Sequence, residues 1–196
     1  MLKQRVIAID DGFFPVYYKY FKGSTVLAAI VYDLSERNVE AAAISDVLID
    51  GLDATNKAIS LVKLLNANAP IILDGVTYAG FNIVDPHKLL SETGCPAIVF
   101  FRHQLSVDKI RRALVKHFHD YELRLNVIER ILKWRAKIYT WWGVYEYTPV
   151  GLSENTALDI LRKSQMYSPE PEPLRIAGML ASKVSRTLIS RGTDVS

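Results

Sequence analysis

Apolar residues recur along the chain in two patterns: short aliphatic runs of strand length, and longer stretches with an apolar position every three or four residues. Residues 6–9 form an aliphatic run that stops at Asp10-Asp11-Gly12. Residues 16–21 and 25–32 are aromatic and β-branched, and Lys22-Gly23-Ser24 between them predicts a hairpin. A further strand is expected over 39–49. Asp53-Ala54-Thr55 then opens a helix with Ala58, Ile59, Val62 and Leu65 on its apolar face, ending within 66–70. Ile71-Ile72-Leu73 predicts a buried strand that stops at Asp74-Gly75, residues 86–93 a short helix closed by Gly94, and residues 97–101 another aliphatic strand. A long helical stretch over 107–134 breaks near His119-Asp120. Residues 138–147 read as one aromatic strand, on which Trp141 and Trp142 point to opposite faces. Ser153 caps a helix running to about 165, and after the Pro169-Glu170-Pro171-Glu172-Pro173 run a last helix spans about 174–190.

Strands alternating with helices, after a front half rich in strands, predict an α/β fold with helices flanking a mixed central sheet. The first strand meets the next without a crossover helix, so antiparallel neighbours are expected there. The 196 residues are 49% hydrophobic and 23% charged, which suits a single domain over 1–196 with a sizeable core. No repeat or convincing linker divides the chain. A single cysteine, Cys95, excludes a disulfide framework and a cysteine-cluster zinc site, and reads as a buried apolar residue in a reducing, cytoplasmic compartment. No apolar stretch approaches a membrane span, and the N-terminal apolar run is too short for a signal peptide.

The formal charge of +3 hides an asymmetry. Residues 1–101 carry 8 basic against 11 acidic side chains, residues 102–137 carry 10 against 4, and residues 138–196 carry 6 against 6. Two of the acids end aliphatic strands in the same way, in Ile9-Asp10 and Leu73-Asp74. A carboxylate placed where a strand leaves the core of an α/β sheet faces the crevice in which ligands bind. If those two strands are neighbours, Asp10 and Asp74 converge, and two such carboxylates repel unless a proton or a hard divalent cation lies between them. A third acid is available in Asp50-Gly51-Leu52-Asp53, where Asp53 also reads as a helix N-cap and Asp50 as a loop charge.

Ile9-Asp10-Asp11-Gly12-Phe13, Asp50-Gly51-Leu52-Asp53-Ala54-Thr55 and the long block from Asp74-Gly75-Val76-Thr77 through Tyr78-Ala79-Gly80-Phe81-Asn82 resemble a largely archaeal family of proteins related to endonuclease V. Glu172-Pro173-Leu174-Arg175-Ile176-Ala177 is similar to that family's closing motif. The resemblance implies a ribonuclease-H-like three-layer fold and a magnesium-dependent nuclease, with manganese as a substitute, acting on DNA or RNA. By motif position it implies Asp10 and Asp74 as catalytic, metal-holding acids, with the middle acid at or near Asp53. It also implies Arg102 and Gly75 as substrate contacts. Endonuclease V follows its second acid with a segment that helps bind an extruded hypoxanthine; here Thr77 and Gly80 stand where glycine and histidine belong, so the resemblance does not carry inosine recognition with it.

The basic stretch offers Lys109, Arg112 and Lys116 on one helical face, a footprint for phosphate or simply a solvated face. Arg175, at the opening of the last helix, is placed to reach the acids or a bound phosphate. His117 and His119 lack the spacing of a zinc site. Three functions remain open on these residues: a metal-dependent nuclease, a nucleic-acid-binding module that keeps the fold without turnover, and a hydrolase of a small phosphorylated metabolite.

Overall fold

A computed structural model describes residues 4–21 and 23–191 of the chain. β1 (Arg5–Asp11) has β2 (Ser24–Asp33) antiparallel on one edge, and β3 (Asn38–Leu48) pairs antiparallel with the far edge of β2. The chain then crosses through α1 (Ala54–Leu65) to β4 (Ile71–Asp74), which lies parallel to the other edge of β1. A two-residue ribbon, β5 (Thr77–Tyr78) with β6 (Asn82–Ile83), leads to α2 (Pro86–Thr93) and to β7 (Ala97–Phe101), parallel to β4. α3 (Val107–His117) and α4 (Tyr121–Leu132) precede a second hairpin, β8 (Ala136–Thr140) and β9 (Gly143–Val150), with β9 antiparallel to β7. α5 (Glu154–Ser164) and α6 (Glu172–Ser190) complete the chain. The seven-stranded sheet has the order β3-β2-β1-β4-β7-β9-β8, a mixed α/β sheet of the kind the alternation predicts.

Alternation along the strands assigns the two faces. Ile7, Ile9, Ile71, Leu73 and Val99 bury against α1, α2 and α4, whereas Val6, Ala8, Ile72, Ile98 and Phe100 bury against α5 and α6. Strands covered on both sides read as unbroken aliphatic runs, which is why the parallel strands were so visible in the sequence. Gly94 ends α2 at φ +73°, Ser106 and Ser153 cap α3 and α5 with their hydroxyls, and α3 breaks from α4 beside His119-Asp120 as expected.

Two expectations change. Residues 16–21 are not a strand: Val16–Lys19 is one turn of 3-10 helix entered from Pro15, with Tyr18 N–H donating to the Pro15 carbonyl. Both edges of β2 are already taken by β1 and β3, so the expected hairpin with β2 has no room, and Tyr17, Tyr20 and Phe21 are exposed. Lys22, in the turn expected before β2, lies outside the described residues. The aromatic strand over 138–147 is instead a hairpin: Thr140 pairs with Gly143, leaving Trp141 and Trp142 as the turn. No helix among the described residues is long and apolar enough to cross a membrane, and Cys95 is buried.

Candidate active site

Register brings the first two acids together. Ile9 of β1 is level with Leu73 of β4, so the next residues along these parallel strands, Asp10 and Asp74, sit side by side. Asp74 is level with Phe100 of β7, and Arg102 follows two residues later. Asp10 continues the face of Val6 and Ala8, Asp74 that of Ile72, and Arg102 that of Ile98 and Phe100. All three side chains therefore leave the sheet toward α6.

Arg102 collects the acids. Its Nε donates to Asp74 Oδ1 at 3.0 Å and its Nη2 lies 2.8 Å from Asp74 Oδ2, a bidentate grip. The same Nη2 is 3.1 Å from Asp10 Oδ2 and 2.7 Å from Glu170 Oε1. A guanidinium nitrogen has two hydrogens for these three acceptors, and Glu170 Oε1 is the one left buried without an aligned hydrogen bond. Asp11, one residue on, points to the opposite face, where its Oδ2 accepts the Ala79 N–H at 2.8 Å. The crevice around these groups has a volume of about 570 Å³ and is rimmed by Arg175 and Arg186, the latter stacked on Phe13 at 3.8 Å.

One cation does not balance this many carboxylates. Burial, then the charges of Asp74 and Asp11, hold the Asp10 carboxyl well above the usual carboxylate range. Burial likewise pushes Asp11 up to about 6 and raises Asp74 and Glu170, with Arg102 opposing in each case. Among the described residues no group of three or more acids or histidines is arranged as a cation cage. The donor set nonetheless suits a hard divalent ion: oxygen donors from separate elements, an excess of negative charge, and one buried carboxylate oxygen without an aligned partner.

The structure does not bring Asp53 into this group. Its Oδ1 accepts from Asn82 Nδ2 at 2.6 Å and from Leu48 N at 3.3 Å, so the carboxylate ties the end of β3 to β6 at the start of α1. Spacing to Asp74 pointed to Asp53, but its carboxylate is spent on this local junction, and it makes no side-chain cap to α1. Asp50 is no closer to the role; its Oδ1 accepts the Phe81 N–H at 2.8 Å and Lys19 lies 3.5 Å away. Glu170, in the proline-flanked run before α6, supplies the third acid on Arg102. Its signal was a carboxylate held between Pro169 and Pro171 just before the closing motif. Gly75 has φ +69° with open space where a side chain would be, so it turns the chain sharply after Asp74 and leaves the crevice clear. Arg175 lines the crevice but is held by Glu172, Nε to Oε2 at 2.7 Å and Nη2 to Oε1 at 2.6 Å. Lys109, Arg112 and Lys116 are all exposed on α3.

A second, mostly apolar cavity of about 770 Å³ opens between the 16–20 segment, the loop after β3, Phe81 and the α3–α4 turn. Ala79 joins the two sites: its N–H reaches Asp11 in the crevice, and its carbonyl accepts the N–H of Asp50 in the cavity wall at 2.8 Å. Arg124, 4% exposed, braces that wall. It donates to the carbonyls of Asp50, Gly51 and Phe81, grips Asp120 through Nε and Nη2, and stacks on Phe118 at 4.4 Å.

A family model described as Endonuclease dU matches residues 3–185. The chain is 38% identical over 186 residues to a UPF0215 protein of Pyrococcus furiosus, covering 93% of this chain and 92% of that one. It superposes on the crystal structure of an Archaeoglobus fulgidus protein of unknown function with a TM-score of 0.78 and 28% identity, covering 93% of this chain and 98% of that one. Endonuclease V of Ciona intestinalis, solved in complex with DNA containing an inosine, shares the fold at a TM-score of 0.59 and 14% identity, over 97% and 87% of the two chains.

Proposed function

The chain belongs to the endonuclease dU family, and from that premise we propose that it is a divalent-cation-dependent endonuclease that hydrolyses phosphodiesters in nucleic acid containing deoxyuridine. The observation that carries the reading is the convergence of Asp10, Asp74 and Glu170 on one guanidinium at the open end of the sheet. The family description names an endonuclease and dU, and deoxyuridine, like inosine, is the product of deaminating a base.

Asp10, Asp74 and Glu170 would hold the cation, magnesium with manganese as a substitute. When bound, it supplies charge stabilisation at the phosphate and an acidified water. The remaining work falls to the chain. Arg102, relieved of its carboxylates, has a planar fork suited to a phosphate oxygen pair, and it hangs over the acids from the end of β7. Asp11, on the opposite face of β1, accepts the Ala79 N–H and would fix the segment that follows Asp74. Arg186 and Arg175 line the crevice on the α6 side and favour an anionic strand. The apolar cavity beyond Ala79, faced by Phe81 and Phe118, would receive an extruded base, tethered to the crevice by a single residue.

Synthetic DNA carrying one deoxyuridine, one inosine or no lesion, incubated with magnesium, manganese or chelator, tests the proposal. Cation-dependent cleavage of the deoxyuridine strand, lost in Asp10→Asn and Asp74→Asn, is the expected result. Intact DNA under every condition, with binding retained, would leave the non-catalytic module in its place.

A further inference from the structure

The β8–β9 hairpin carries a cluster of exposed aromatic side chains near the sheet's reactive end. At its tip Trp141 is 99% exposed, Tyr139 72% and Trp142 44%. None of this is needed for the core, since Ile138 and Tyr147 already bury the inner face of the hairpin. Between the tip and α5 lies a cavity of about 640 Å³, lined by Trp141, Trp142, Tyr139 and Arg162. Among the described residues Arg162 takes part in no ion pair.

Topology sets where this surface lies. β9 pairs with β7 so that Phe101 is level with Glu146, and Arg102 follows Phe101 at the crevice. β9 runs antiparallel to β7, so Gly143 lies three residues beyond that pair, about 10 Å past the end of β7. The tip therefore overhangs the same edge of the sheet as Asp10 and Asp74, two strands from β4, about 10 Å to the side.

We propose that the β8–β9 tip is a stacking platform for a single-stranded segment of the nucleic acid that enters the crevice, with bases on Trp141 and Trp142 and phosphates toward Arg162. Every base has a face to stack, so such a platform binds without reading sequence, and the unpaired Arg162 beside the rings serves the backbone. The proposal rests on the nuclease reading for the identity of the polymer, and the platform gives it an anchor beside the reacting bond.

The test uses the full chain in chelator, which separates binding from cleavage, with a labelled single-stranded oligothymidine followed by anisotropy. Trp141→Ala with Trp142→Ala is expected to weaken binding by roughly tenfold or more, and the matching Phe pair to restore most of it. Trp134, also exposed, stays in place. Unchanged affinity in the alanine pair overturns the platform. So does a wild-type dimer that becomes monomeric in that pair, which would make the tip a contact between copies. Cleavage of deoxyuridine DNA in magnesium is scored separately. Cleavage with tryptophan-independent binding sinks the platform alone, and tryptophan-dependent binding without cleavage sinks the nuclease reading alone.

Discussion

Gly178 of α6 faces the carboxylate of Asp10 so closely that a methyl group on it would sit 2.3 Å from Asp10 Oδ2. The helix can cross the end of β1 at this height only because that position has no side chain.

Gly178→Ala should therefore reverse the usual preference. Alanine in an open helix position gains about 0.5–1 kcal/mol over glycine, but overpacking a filled site costs about 1–3 kcal/mol. The variant is expected to melt several degrees lower and to lose activity as Asp10 is pushed off its position. A thermal melt at or above the wild type, the result for a solvent-facing glycine, counts against the contact.

The acid cluster should destabilise the fold as pH rises. Asp11 ionises at about 6 in the folded protein against 3.8 in the open chain, so the folded state binds the proton more tightly. Stability is then greatest below about pH 4 for this group and falls as pH climbs through 6. Asp11→Asn keeps an acceptor for the Ala79 N–H and removes the charge. In chelator at pH 8 it is expected to be more stable than the wild type by on the order of 2 kcal/mol, with the gap closing only as pH falls below about 4, where the open chain takes up the proton as well. Denaturant titrations at the two pH values decide it, and a constant gap would contradict the assignment.

The third acid can be identified by comparing two conservative changes. Glu170→Gln should weaken manganese binding and cleavage by at least tenfold, about 1.4 kcal/mol. Asp53→Asn should leave both within a few-fold while costing about 1 kcal/mol of stability through its bonds to Leu48 and Asn82. Calorimetry with manganese gives the answer, and the opposite ranking would restore Asp53 to the centre.

Arg124 should prove irreplaceable in the cavity wall. Removing it leaves the carbonyls of Asp50, Gly51 and Phe81 unpaired, and Arg124→Ala is expected to cost about 3–5 kcal/mol. Arg124→Lys should rescue little, because an ammonium cannot span the same fork. Its partner Asp120 ionises below the usual range through its hydrogen bond to Arg124. That part of the stability is complete above about pH 4 and lost as pH falls through the lowered value. A lysine variant with wild-type stability would show the carbonyl contacts to be dispensable.

What the sequence disclosed follows from how each feature is encoded. Asp10 and Asp74 were legible because a buried parallel strand writes itself as an aliphatic run, and a carboxylate at its end is conspicuous. Arg102 entered only through the family resemblance, as the residue that follows the next aliphatic strand. Glu170 was not, because a loop has no period and its place beside Arg102 depends on where α6 packs. Gly178 could have been found: glycine inside a helix is costly, and such a residue calls for a reason. Residues 16–21 misled because aromatic and β-branched content also suits an exposed segment, and β2, the strand they were expected to pair with, is already paired on both edges; residues 138–147 misled because the turn is made of tryptophans rather than glycine and asparagine.

The parallel pairing of β1 with β4 has a consequence for how this protein can change. Side chains on a strand alternate, so deleting one residue inside β4 would turn Asp74 toward α1 and leave Gly75 opposite Arg102. The same holds for Asp10 in β1. Length changes there come only in pairs, and each pair also moves the acid about 7 Å along the sheet. The loops may lengthen freely, but the core strands behave like teeth on a ratchet, with a single position at which the acids and the arginine mesh.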